Sequence, residues 1–181
     1  SETDYQVITK LEFLPEHGLG SSSTLINNLA LWAECDPYKL LEKTFGGSGY
    51  DIACANSNHP IFFKKENNEI IVSEAGFHPA FAENLFFVYL GKKQRSSESI
   101  AKFNSSAEFT DYESRRIGEI SILLSQTDSQ SEFNELMDEH EEILSQILKI
   151  KTVKSRLFND LDGSVKSLGA WGGDFVMLSS N

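Results

Sequence analysis

At 181 residues, 40% hydrophobic and 24% charged, the chain is ordinary globular material, enough for one generous domain or two small ones. A formal net charge of -11 disfavours a nucleic-acid partner, because binding a polyanion requires a basic face that releases counterions. No apolar run approaches the roughly 18 residues of a membrane span, so the chain reads as soluble, and the absence of low-complexity tracts argues against disorder. An anionic small-molecule ligand stays open if a helix N-terminus, a few lysines or a divalent metal supplies local positive potential.

Cys35 and Cys54 have neither C-x-x-C spacing nor the density of a secreted scaffold, which points to a reducing, cytoplasmic setting. The start, Ser1-Glu2-Thr3-Asp4, lacks the basic and apolar regions of a signal peptide.

In chain order, Tyr5 to Leu14 reads as a strand with Val7, Ile8, Leu11 and Phe13 apolar, running into the glycine-rich stretch Gly18-Leu19-Gly20. Leu25, Ile26, Leu29, Ala30 and Ala33 then recur at helical spacing, so Ser21 to Ser23 stand at a helix N-terminus. Asp36-Pro37 is an N-cap with proline at the first helical position, opening a short helix through Glu42. Phe45-Gly46-Gly47-Ser48-Gly49 breaks it, and a further helix starts at Tyr50-Asp51. Ile61 to Phe63 and Ile70 to Val72 predict a hairpin.

A domain boundary is expected near His78-Pro79, dividing the chain into 1–79 and 80–181. Leu85 to Leu90 is a continuous apolar run, the pattern of a buried strand, and Phe62-Phe63 and Phe86-Phe87 are expected in the core. Helices follow near Ser97 to Phe103, from Asp111 to Leu124 and from Glu132 to Leu148. Strands return at Val165 to Gly169 and Phe175 to Leu178, flanking the glycine cluster Gly169-Ala170-Trp171-Gly172-Gly173.

A glycine-rich turn between a strand and a helix start exposes backbone N–H groups at the positive end of the helix dipole, where phosphate binds readily. Gly18-Leu19-Gly20 alone is neither a Walker A loop nor the dinucleotide fingerprint. The full string Pro15-Glu16-His17-Gly18-Leu19-Gly20-Ser21-Ser22-Ser23, however, resembles the P-x-x-x-G-L-G-S-S motif of the GHMP kinases. Gly47-Ser48-Gly49-Tyr50-Asp51 resembles the family's S-G-x-D segment, in a form closest to the mevalonate and phosphomevalonate kinases. Ser167-Leu168-Gly169-Ala170-Trp171-Gly172-Gly173-Asp174 resembles the third motif, S-G-A-G-G-G, with Leu168 and Trp171 in place of glycines.

The resemblance implies an ATP-dependent, Mg²⁺-requiring small-molecule kinase. Gly18, Leu19, Gly20, Ser21, Ser22 and Ser23 would cradle the nucleotide phosphates, with Gly169, Ala170, Gly172 and Gly173 completing the cofactor site. Ser22 and Glu42 would be metal ligands, and Asp51 would orient or deprotonate the acceptor hydroxyl. Lys92, Ser96 and Ser97, in the basic turn after the apolar strand, would meet a mevalonate-type acceptor. The implied fold is α+β: an incomplete ribosomal-protein-S5-domain-2-like N-terminal part and a ferredoxin-like C-terminal domain. The family's first motif has no counterpart before Tyr5, and both ends read as cut relative to the family. Two other readings remain open: a GHMP-fold binding or regulatory module without kinase activity, and a relative of the diphosphomevalonate decarboxylases.

Several residues carry simpler readings. Serines at a helix start are also good N-caps. Glu42 also fits a solvated helix position paired with Lys39. His140 falls in an apolar stripe and reads as a satisfied core histidine, and His17, His59 and His78 lack metal spacing. The acidic run Glu132, Glu135, Asp138, Glu139, Glu141 and Glu142 reads as a solvated helix face. Trp32 lies off its helix's main stripe.

Overall fold

The computed structural model describes residues 4–67, 69–91, 110–169, 171 and 174–180. The chain forms two compact units, Ser1–Glu74 and Ala75–Asn181, dividing a few residues before the boundary read from the sequence. The secondary structure is α+β, with two small antiparallel sheets, and no described helix is long and apolar enough to cross a membrane.

In the first unit, helix α1 spans Ser21–Trp32, α2 Pro37–Lys43 and α3 Tyr50–Ala55, followed by a hairpin of β1, Ile61–Glu66, and β2, Glu69–Glu74. Helix α2 begins where the sequence places it. Asp36 Oδ1 accepts from the N–H groups of Tyr38 at 2.9 Å and Lys39 at 3.3 Å, and Pro37, which has no N–H to satisfy, takes the first helical position. Ile26 of α1, Leu41 of α2 and Ile52 of α3 form the core. Each such aliphatic side chain contributes about 1.5–3 kcal/mol when fully buried. Both cysteines are free thiols.

The expected strand from Tyr5 to Leu14 is not found. Among the described residues no strand pairs with this segment, and Tyr5, Val7, Ile8, Leu11 and Leu14 are exposed. Alternating apolar residues supply strand propensity, but the strand itself is defined by a hydrogen-bonded neighbour. A 3₁₀ turn, Pro15–His17, leads from this segment into the glycines. The Tyr5 ring meets Trp32 edge-to-face at 5.3 Å between centroids, which accounts for a tryptophan off the apolar stripe.

In the second unit, β3, Leu85–Tyr89, is followed by α4, Asp111–Gln126, α5, Gln130–Leu148, and a short helix α6, Val153–Leu157, absent from the sequence reading. Strands β4, Gly163–Ser167, and β5, Phe175–Ser180, close the unit. The strand order is β3-β5-β4 with both pairings antiparallel, so β3 and β4 run parallel with β5 between them. The expected helix from Ser97 to Phe103 lies outside the described residues.

Thr110 opens α4 with a capping box: its hydroxyl accepts from the Glu113 N–H at 3.3 Å, and the Glu113 carboxylate accepts from the Thr110 N–H at 2.8 Å. Arg116 of α4 donates a two-pronged pair of hydrogen bonds to Glu139 of α5, at 2.6 and 2.7 Å, joining the two helices. Phe81, Phe133 and Met137 form one apolar cluster, and Val153, Val165 and Val176 another.

Two core assignments change. Phe86 and Phe87, which leave β3 on opposite faces, are both exposed, so this apolar run is not a strand covered on both faces. Phe62 and Phe63 are half-buried, Phe63 edge-on to Tyr50 at 5.7 Å. The acidic face of α5 is also not uniformly solvated. Glu141 is buried, accepting from Ser167 Oγ at 2.8 Å, with Lys166 Nζ 3.7 Å away. Burial raises the Glu141 carboxyl, but its contacts with His140, Lys166 and Ser167 outweigh it and hold the carboxyl below its ordinary value. His140 is the buried, satisfied histidine expected, its Nδ1 3.1 Å from Lys166 Nζ.

Candidate functional site

The glycine-rich loop is built from two left-handed residues. Gly18, at φ 68°, ends the Pro15–His17 turn, and Gly20, at φ 70°, is the N-cap of α1. L-residues other than Asn and Asp rarely adopt this conformation, which is why the spacing Gly-x-Gly is needed here. Gly20 O accepts from the Thr24 N–H at 2.9 Å and the Thr24 hydroxyl at 3.1 Å, closing the first turn.

The serines are not the cap of this helix. Helix α1 begins at Ser21, so the serines are inside the helix and Gly20 stands at the N-cap. Glycine has no side chain to accept from the first-turn amides, which leaves the N–H groups of Ser21, Ser22 and Ser23 open to an outside acceptor at the positive end of the dipole. An open cavity of about 260 Å³ adjoins this helix start, lined by Ser21, Ser22, Lys10, Leu25, Asn28 and Phe45 among others.

Asp51 is brought to this loop. It lies in the first turn of α3, and a Cβ placed on Gly20 would lie 3.5 Å from Asp51 Cβ and Cγ and 3.7 Å from its Oδ2. The two motifs, separated by about thirty residues, therefore meet backbone to side chain. Partial desolvation pushes the Asp51 carboxyl above its ordinary value, although the residue keeps an exposed side.

The Gly-Ser-Gly-Tyr-Asp string has a local explanation. Gly49 caps α3 at φ 86°, and a Cβ there would stand 2.9 Å from Cδ1 and 3.0 Å from Cε1 of the Tyr38 ring. Ser48 Oγ accepts from the Tyr50 N–H at 3.2 Å. The Tyr50 hydroxyl is pushed up to about 12 by desolvation and by its hydrogen bond with Cys54. It stays protonated across the physiological range.

The two residues expected to share a metal ion line different cavities. Ser22 lines the cavity at the α1 start, whereas Glu42 lines a second cavity of about 530 Å³ with Lys39, Ser48, Gly49 and Lys65. Among the described residues no group of three His, Cys, Asp or Glu side chains is placed to hold a metal ion.

In the second unit Gly169 is left-handed at φ 66°, and its carbonyl accepts from the Trp171 N–H at 3.0 Å. Trp171 is itself left-handed at φ 58°, so the backbone keeps a glycine-like conformation where the family motif has glycine. Ala170, Gly172, Gly173, Lys92, Ser96 and Ser97 lie outside the described residues.

One element escaped the sequence reading. Asn27 of α1, buried, and Asn56, the C-cap of α3, exchange side-chain hydrogen bonds: Asn27 Nδ2 donates to Asn56 Oδ1 at 3.2 Å, and Asn56 Nδ2 to Asn27 Oδ1 at 2.8 Å. The local signal is slight, a polar residue next to Ile26 and one turn before Ala30.

No protein-family model matches the chain, and no curated protein or solved structure resembles it significantly.

Proposed function

We propose that the chain carries the phosphate-binding and catalytic part of an ATP-dependent small-molecule kinase of GHMP type, transferring the γ-phosphoryl group to a hydroxyl or phosphate of a mevalonate-type acceptor. The observation that carries this reading is the packing of Asp51 against Gly20 at the start of a helix whose first-turn amides have no capping side chain. N–H donors suited to phosphate oxygens and a carboxylate suited to the acceptor group would thereby be adjacent, the positioning on which phosphoryl transfer depends.

The roles follow from the chemistry of each group. Amides of Ser21 to Ser23 hold phosphate oxygens and help neutralise the charge that develops on the transferring group. Asp51, with its raised carboxyl, accepts a proton from the acceptor hydroxyl; where the acceptor is itself a phosphate, already ionised, Asp51 positions it. Mg²⁺ would be held by hard oxygen donors, the Ser22 hydroxyl and the Glu42 carboxylate, which line different cavities here. When bound, the ion supplies neutralisation of phosphate charge.

In the second unit, two parallel strands with β5 between them, and helices α4, α5 and α6 in the connection from β3 to β4, make a split β-α-β arrangement. This supports the ferredoxin-like half of the expected architecture. The test is transfer from MgATP to mevalonate or phosphomevalonate. Turnover with either supports the reading, and none with both, in a protein that also fails to bind MgATP, refutes it.

A binding module without kinase activity is favoured by one observation, the tryptophan ring added at Trp171 to a left-handed turn. If that ring restricts the third-motif turn, Trp171→Gly will tighten MgATP binding by about tenfold, equivalent to about 1.4 kcal/mol. Calorimetric titration of both proteins checks this. Unchanged or weaker binding in the variant removes the steric argument for the module.

A further inference from the structure

The Asp51–Gly20 juxtaposition needs something to fix it, and the apolar core does not suffice. Ile26, Leu41 and Ile52 hold α1, α2 and α3 together, but burial of aliphatic surface is non-directional and tolerates sliding of one helix along another. Hydrogen bonds are directional, and their strength falls off steeply with misalignment.

The Asn27–Asn56 pair is a directional contact between α1 and α3. It is reciprocal, with each amide donating once and accepting once, so neither polar end of the buried Asn27 is left unmatched. Asn56 is further anchored to its own helix: its Nδ2 donates to the Ile52 carbonyl at 3.1 Å, and its backbone N–H bonds back to Ile52 and Ala53. A shift of α3 along α1 by a fraction of a turn would break both amide bonds at once.

Asn27 sits two turns into the helix whose first turn carries Ser21 to Ser23, and Asn56 ends the helix whose first turn carries Asp51. We propose that the Asn27–Asn56 amide pair sets the register of α3 on α1 and thereby holds Asp51 against the glycine loop, making both asparagines positioning residues of the phosphoryl-transfer site. The functional consequence rests on the kinase reading; the geometric one does not.

The test separates positioning from stability. Asn56→Ala strands the amide of the buried Asn27, and Asn27→Ala leaves a small cavity, so either single change is expected to lower stability as well as register. The double variant Asn27→Leu/Asn56→Leu removes both polar groups together, a change that leaves stability close to that of the parent. Two readouts are compared in the intact chain: the NOE between the Gly20 Hα and Asp51 Hβ protons, and turnover of MgATP with mevalonate or phosphomevalonate.

In the double variant we expect Tm to be retained, the cross-peak to be lost or strongly weakened, and kcat to fall about 100-fold with little change in KM for MgATP. A retained cross-peak in a folded double variant overturns the proposal. So does a weakened cross-peak with unchanged kcat. If the parent chain has no kinase activity, the kinase reading fails but the cross-peak still decides the register claim. If the double variant does not fold, Asn56→Ala, which alters the more exposed partner, is read by the same cross-peak, and its persistence there overturns the proposal.

Discussion

Asp51→Ala should lower phosphoryl transfer from MgATP by about 10²–10⁴-fold, the range a positioned general base contributes, while leaving MgATP affinity nearly unchanged. The split matters because Asp51 touches the loop through its side chain, whereas the loop's proposed phosphate contacts are backbone N–H groups that the substitution leaves in place. Stability gives an independent check. Desolvation raises the Asp51 carboxyl in the folded state above its unfolded value of about 3.9, so the folded protein favours the protonated form.

The sign follows from linkage. The charged carboxylate costs stability at pH above the folded value, and that cost disappears as the pH falls through the folded value toward the unfolded one. Asp51→Asn should therefore show an unchanged or higher Tm at pH 7, with the advantage over the parent shrinking as the solution is acidified. Catalysis should run the other way, with the parent's rate falling as Asp51 is protonated. Thermal melts and rates across pH 4 to 8 check both. A variant with full activity removes Asp51 from the chemistry.

Gly163→Ala should be strongly destabilising for a single-methyl change, by about 3 kcal/mol or more, at or beyond the upper end of ordinary overpacking. Gly163 opens β4 at φ 153° opposite Ser180, and a Cβ there would collide with the Ser179 carbonyl oxygen and lie 3.1 Å from Ser180 Cα. Those neighbours are backbone atoms of the central strand and have little freedom to yield. Because β5 also pairs with β3, displacing it disturbs both ladders. Denaturant unfolding of the variant measures the loss. A change below about 1 kcal/mol would mean that the β4 start bends out of register at little cost.

Legibility in the sequence tracks how local each determinant is. The α2 start was readable because Asp36 caps amides two and three residues away and Pro37 fixes the next residue. The α5 stripe was readable because Phe133, Leu136, Met137 and Ile147 repeat with the helix and are buried. The segment from Tyr5 to Leu14 misled because its apolar alternation says nothing about whether a partner strand is present. Phe86 and Phe87 misled for a related reason, since an apolar run does not reveal whether another layer covers either face of its strand.

The site divides along the same line. The left-handed glycines and the helix start at Ser21 follow from local spacing, and the S-G-x-D resemblance drew attention to Asp51. That Asp51 rests on Gly20, and that Asn27 and Asn56 lock the two helices, are contacts between residues about thirty apart, which no local pattern encodes. Glu141 shows the reverse error: it belongs to an acidic run by sequence, yet Ser167 and Lys166 from β4 make it a buried partner.

The central claim is that the α1 start, Gly20 and Ser21 to Ser23, binds nucleotide phosphate beside Asp51. Its most direct measurement is a ¹H–¹⁵N titration of the intact chain with MgATP. The amides of Ser21, Ser22 and Ser23 should shift saturably and together, with Asp51 perturbed alongside them. Binding without movement of those three amides, or no binding at all, would contradict it.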